Sequence, residues 1–292
     1  MKNHLIKLVI FVFLFNVSSA QNLNALLDAY RGDNARGYLN PLIDLLGANL
    51  NTGRSEWAKL DSGFHIRVSA IGSASQASSD LKVFTAITDP SFTPSSSRSV
   101  PTIVGKNEII TVQGVNETGY SFQAGYNLKH LLLAAPQISA GSFLNTELTA
   151  RYFAYDFEED FGKLQFYGIG MRHTLDNYIK GLPFSLNIGY MYQSLDAGDE
   201  ISIQSHLPSL WLGKAGKNFS GQVMLGYQIS NATINYTYKE GNTTENVLLN
   251  LKNKSPFMAE VSAGVKLGFL IIHAAVSYSG PLTGAGGITF KF

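Results

Sequence analysis

The chain contains no cysteine, which excludes a disulfide framework, a thiolate metal site and a lipid-modified N-terminal cysteine. Charge is scarce as well. Charged residues make up 15% of the sequence, against about a quarter in soluble domains. They nearly cancel, at a formal net charge of +1, so the basic footprint of a nucleic-acid-binding protein is missing and no nucleic-acid partner is expected. After residue 20 no stretch approaches the ~20 consecutive apolar residues of a membrane-spanning helix. The histidines beyond that point, His65, His130, His173, His206 and His273, do not share a strand face with another His, Asp or Glu at ligand spacing, so no metal and no cofactor is expected.

What the chain has in quantity is glycine, tyrosine and phenylalanine, with 28, 14 and 18 residues, and segments in which every second residue is apolar. The last stretch is the clearest. Ala259, Val261, Ala263, Val265 and Leu267 alternate with Glu260, Ser262, Gly264 and Lys266. Leu270, Ile272, Ala274, Val276 and Tyr278 then alternate with His273, Ala275 and Ser277, and the chain closes on Ile288, Phe290 and Phe292. Side chains of a strand alternate between faces, so each segment carries an apolar row opposite a polar or small one.

Met1 to Ala20 reads as a secretory signal: Lys2, His4 and Lys7 precede an apolar run, Leu8 to Phe15, that is too short to span, and Ser18 and Ala20 are small. Residues 21–60 differ from the rest. Leu23, Leu26, Leu27 and Tyr30 fall at helical spacing, and a second helix is expected from Asn40-Pro41, with Leu42, Leu45, Leu46 and Leu50 on one face. This segment is either a plug in the barrel mouth or a periplasmic extension. Residues 61–292 read as the barrel. Strands are expected at Phe64–Ala70, Leu81–Thr88, Glu108–Val115, Thr146–Tyr155, Leu164–His173, Phe184–Tyr192 and Val223–Ile229. A tight turn at Ser230-Asn231 is expected to lead to Ala232, Ile234, Tyr236 and Tyr238. Leu131–Gly141 carries Pro136 and is expected to be irregular or edge-like, and Ile201–Gly213 to be broken at Pro208.

Three observations favour an antiparallel transmembrane β-barrel of roughly 12–14 strands over an exported soluble sandwich. Polar rows hold amides, hydroxyls and charges at strand centres, while apolar rows hold almost no charge, the outward-apolar, inward-polar pattern of a barrel in lipid. Tyrosines close several apolar rows, as a headgroup girdle requires. The chain ends on an aromatic within a strand, which resembles the terminal strand read by the outer-membrane assembly machinery. The expected lumen-lining residues are His65, Arg67, Glu147, Arg151, Asn187, Asn235, Lys239, Glu260, Lys266 and His273. The expected girdle is Tyr190, Tyr192, Tyr236, Tyr238, Tyr278 and Phe292. Inward Arg67, Arg151, Arg172, Lys239, Lys266 and Lys291 against Glu147 and Glu260 describe either a cation-lined lumen that favours anions or a set of paired charges. Catalysis is not expected: Ser277 and His273 share a face, but ~13 Å of strand separates them.

Tyr38-Leu-Asn-Pro41, Ala48-Asn-Leu-Asn-Thr-Gly53, Gly63-Phe64, Pro136-Gln137 to Gly141 and Thr146-Glu-Leu-Thr-Ala-Arg-Tyr152 resemble an uncharacterised family of Bacteroidota outer-membrane barrels. That family is in turn distantly similar to the FadL-type long-chain fatty acid transporters. The resemblance implies an outer-membrane location among lipid, a short N-terminal segment inside the barrel and passive uptake of small or hydrophobic molecules. The alternatives are a plugged structural or adhesive barrel without transport and, third, a lipid-modifying enzyme.

Overall fold

The computed structural model describes residue 30 and residues 32–61, 63–156, 163–179, 181–240 and 243–292. The expected signal, and the first expected helix except Tyr30, lie outside these residues. The chain is all-β apart from one helix, α1 (Gly32–Asn51), and two short 3-10 turns. The strands are β1 (His65–Gln76), β2 (Val83–Ile87), β3 (Ser97–Pro101), β4 (Ile110–Gln113), β5 (Gly119–Phe122), β6 (His130–Phe143), β7 (Thr146–Asp156), β8 (Lys163–Thr174), β9 (Ser185–Ala197) and β10 (Ile201–Ala215). They continue with β11 (Phe219–Tyr227), β12 (Ile229–Glu240), β13 (Thr243–Lys252), β14 (Phe257–Leu267), β15 (Leu270–Tyr278) and β16 (Leu282–Lys291).

Twelve strands form one antiparallel sheet, and ten of them close on themselves in the order β1-β6-β7-β8-β9-β10-β11-β14-β15-β16 and back to β1. The β12–β13 hairpin continues the sheet beyond the ring, paired with the first half of β10. One mouth carries short turns, at Leu144-Asn145 and at Gly268, where positive φ angles tighten the chain. The other carries the 53-residue excursion between β1 and β6. There β2–β3 and β4–β5 form two separate hairpins. The segments around 81–88 and 108–115 are therefore strands, but they cap the long-loop mouth and do not join the wall.

The ring buries its polar row and exposes its apolar one. Ser69, Gln137, Arg151, Gln222, Glu260 and Thr289 are buried, whereas Val68, Ile138, Leu148, Ile169, Ile188, Val261 and Ile288 are exposed. That inversion of the soluble pattern is what a wall facing hydrocarbon requires.

Two prolines sit where the ladder releases a backbone group. Pro136 pairs with Ala70 of β1 and lies just beyond the last β7 pairing, at Gln137. Pro208 does not break β10, which runs through it. It lies between the β11 pairing, which begins at Ser209, and the β12 pairing, which ends at His206. A missing N–H is tolerated at such a place.

The turn expected at Ser230-Asn231 is absent. β11 and β12 form one strand path interrupted only at Gln228, whose N–H donates to the Pro256 carbonyl at 2.5 Å. Even-numbered side chains stay inside throughout, so Met224, Ala232, Ile234 and Tyr236 are all buried, and Asn235 is exposed. Two site assignments are corrected by this: Asn235 does not line the lumen, and Tyr236 is not a girdle residue. The reason is that the path rises out of the ring at Gln228. Below it an apolar row faces outward, and above it the apolar row turns to an internal core.

That core fills the long-loop mouth. Tyr38, Leu39, Ile43 and Leu45 of α1 pack with Val104 and Phe122 of the cap region, Leu133, Phe166, Leu195 and Ile203 of the wall, and Ile234 and Leu249 of the hairpin. α1 begins eight residues before the expected Asn40 start. Pro41 therefore lies inside it and supplies no N–H to the turn before. Buried Tyr38, Leu39 and Ile43 on either side hold the helix through that gap.

A candidate functional site: the occupied lumen

α1 starts under the cap, where the Asn34 side chain exchanges two hydrogen bonds with the Ile87 backbone of β2 and Arg36 donates to the Asn250 carbonyl of β13. It runs down the lumen, and residues 52–61 continue to the short-turn mouth, where β1 begins. This segment is irregular and polar, and it is bonded to the wall in every direction. Thr52 Oγ1 meets Ser277 Oγ at 2.6 Å. The Gly53 N–H donates to Glu260 Oε2 at 2.8 Å, and its carbonyl lies 3.2 Å from His273 Nε2. Gly53 has φ +71°, and an added Cβ would come 2.5 Å from Ala285 Cβ, so glycine is required on both counts. Glu56 Oε1 accepts from Ser69 and from Gln137, each at 3.0 Å. The Ala58 N–H donates to Ser220 Oγ at 2.9 Å, and the Ala58 carbonyl accepts from Asn187 at 3.0 Å.

Below, charges interlock. Glu147 is the centre: its Oε2 accepts from Arg67 Nη1 at 2.7 Å and lies 3.0 Å from His65 Nε2, and its Oε1 accepts from Arg172 Nη2 at 3.2 Å. Arg67, fully buried, also reaches Asp61 at 2.6 Å, and Lys291 Nζ meets the other Asp61 oxygen at 2.7 Å. Asp61 stands at the mouth, before β1. Burial acts to raise its pKa, but Lys291 and Arg67 outweigh burial and hold the carboxyl below the ordinary range. Arg172 donates to Ser55 Oγ and to the Trp57 carbonyl. Arg54 lies over the Trp211 ring, 5.5 Å from its centroid.

Of the residues expected in the lumen, His65, Arg67, Glu147, Arg151, Asn187, Glu260 and His273 are buried on the inner face. Lys266 is half-buried on that face at the end of β14, and the Lys239 side chain lies outside the described residues. Of the expected girdle, Tyr190, Tyr278 and Phe292 are exposed, Tyr192 is half-buried on the outer face, and the Tyr238 side chain is outside the described residues. The Tyr236 hydroxyl donates instead to the Tyr30 carbonyl at 3.1 Å.

His273 and Ser277 are turned to the segment, His273 to the Gly53 carbonyl and Ser277 to Thr52. No group of three potential metal-ligating side chains occurs among the described residues. Sequence reasoning missed Arg54, Ser55, Glu56 and Asp61. For Glu56 and Asp61 the one signal was arithmetic: inward cations on the strands outnumber inward carboxylates, so counter-charges had to come from elsewhere; nothing in the pattern pointed to Arg54 or Ser55. Beside Arg54 a cavity of about 30 Å³ remains, lined also by Glu147, Arg172 and Trp211, with room for one or two waters.

The sequence matches, over residues 1–292, a family described as a family of unknown function, DUF6588, and the chain belongs to it. No curated protein matches. Among solved structures, the outer membrane protease OmpT of Escherichia coli is similar at 8% identity and a TM-score of 0.34, over 80% of this chain and 99% of that one. The Pseudomonas putida toluene transporter TodX is similar at 9% identity and a TM-score of 0.22, over 90% of this chain and 92% of that one. The transport unit of the Escherichia coli autotransporter AIDA-I is similar at 11% identity and a TM-score of 0.28, over 90% of this chain and all of that one. Likeness at this level concerns barrel architecture alone.

Proposed function

We propose that this member of the DUF6588 family is an integral outer-membrane barrel closed by its own N-terminal segment, which presents its capped mouth to the cell exterior and the short turns to the periplasm. The observation that carries the reading is the continuous passage of residues 32–61 through the lumen, packed into an apolar core above and bonded to the wall below. The orientation follows the habit of such barrels, with short turns inside and long loops outside. The terminal strand β16, ending on exposed Phe292, is then the part offered to the assembly machinery.

This is the plugged-barrel reading. A second reading, uptake of small or hydrophobic molecules, draws on one feature. The lower plug, residues 52–61, is held chiefly by hydrogen bonds and ion pairs, which water can replace, and Trp57 and Leu60 are the large apolar side chains its departure would expose.

Planar-bilayer recording and liposome swelling test both. The native protein is expected to show no steady conductance and no solute entry; a steadily open native channel overturns the plugged reading. A variant lacking residues 32–61, or the milder pair Glu56→Gln and Asp61→Asn, is expected to leak. If neither variant admits solute while folded, uptake through this lumen is lost as a reading.

A further inference from the structure

Where β10 exchanges β11 for β12, the outer wall is hollow. The hollow measures about 770 Å³ and opens on the face that carries Leu210, Leu225, Tyr227, Phe257 and Tyr278. It lies where the wall changes partner: the β11 pairing of β10 ends at Ser209–Gly226, the β12 pairing begins at His206–Ile229, and Pro208 and Pro256 line the gap between them. Gly226 faces the interior, where an added Cβ would come 2.6 Å from Leu207, so the inner side of the wall is filled here. Behind the hollow lies a second apolar cluster, Leu207, Trp211, Met224 and Met258, and Met258 lines the hollow itself. The inner wall of the lower ring is polar; here the wall is apolar on both faces. At the rim nearest the long-loop mouth stands exposed Lys254, whose N–H is fixed to Asp44 at 2.8 Å.

We infer that this hollow binds one acyl chain of an anionic lipid of the surrounding leaflet, with the Lys254 ammonium meeting the lipid phosphate. A concavity walled by apolar side chains and open to hydrocarbon is filled by hydrocarbon, since an empty one forfeits dispersion contacts. The occupant therefore comes from the bilayer. The cation at the headgroup end selects the anionic member. The inference needs only the membrane setting and is independent of whether the lumen ever opens.

Trp211 reports occupancy from behind the wall. The chain has two tryptophans, and Trp57→Phe leaves Trp211 as the sole tryptophan, excited selectively at the red edge beyond tyrosine absorption. This protein is reconstituted in phosphatidylcholine vesicles carrying, at equal mole fraction, either phosphatidylglycerol or phosphatidylcholine brominated on the acyl chains. Brominated phosphatidylglycerol is expected to quench Trp211 more strongly, through an enrichment of about fivefold, which is what one lysine beside an anionic lipid supplies. Lys254→Gln is expected to equalise the two lipids, and Ala259→Leu, which fills the hollow from β14, to weaken quenching by both. Equal quenching by the two lipids in the parent protein overturns the inference, and so does undiminished quenching in Ala259→Leu. Should Lys254→Gln not fold, the parent comparison and Ala259→Leu decide alone.

Discussion

Glu147 is the residue on which the lower lumen balances. It faces two guanidiniums and an imidazole from positions that are all nearly closed to solvent. Replacing Glu147 by Ala leaves Arg67 and Arg172 short of a counter-charge in a buried place, and breaking such a pair costs about 3–5 kcal/mol. The expected loss is readable as a lowered urea midpoint in detergent micelles. Asp61 works at the rim of the same cluster and gives it a pH dependence. Because its folded pKa is depressed by Lys291 and Arg67, the stability it contributes is complete above the unfolded carboxylate pKa, near pH 4, and is lost as pH falls through the lower folded value. Asp61→Asn should therefore melt below the native protein at pH 7, and the two curves should converge on acidification. A gap that persists in acid would assign the contribution to packing instead.

Among the elements, β12 separates what the sequence discloses from what it does not. Its alternation marks it as a strand without ambiguity, and so do those of β1, β7, β14 and β15. An apolar row looks the same whether it faces lipid or a protein core, however, and only the kink at Gln228 distinguishes the two. This is why Ala232, Ile234 and Tyr236 read as outward and are buried. The same limit applies to β2 and β4, where alternation discloses a strand but not its partner, and both joined the cap. Inward polar positions were legible on the ring, as Arg67, Arg151 and Glu260 illustrate, because lipid forbids charge on the other face. The carboxylates that neutralise them, Glu56 and Asp61, were not, because residues 52–61 have no period to read. The parity of β12 is directly testable. Ile234→Ala should cost about 2–5 kcal/mol, as for a large aliphatic removed from a core, whereas Asn235→Ala should fall within about 0.5 kcal/mol of native. Denaturant melts of the two variants, compared side by side, decide.

For the whole molecule, the absence of native cysteine makes orientation measurable by single substitutions. Ile87 is exposed in the cap and Leu144 at the opposite mouth. With the capped mouth outside, Ile87→Cys should react with a membrane-impermeant maleimide on intact cells, and Leu144→Cys only after the outer membrane is permeabilised. Val276→Cys, exposed on the outer face of β15, should resist that reagent in both cases and accept a lipid-soluble one. The reverse labelling of the two mouths would invert the molecule in its membrane.

The passage of residues 32–61 along the axis also dictates an order of assembly. Gly32 is tethered beneath one mouth and Asp61 continues into β1 at the other, so a cylinder already sealed along the β1–β16 seam could receive this strap only by having a free end drawn through its full height. The economical history is the opposite: the hairpins gather around the strap while the sheet is still an open trough, and the seam joining first strand to last is zipped afterwards. The buried hydrogen bonds at Gly53, Glu56 and Ala58 would then act as a jig that sets the curvature of the sheet before it shuts.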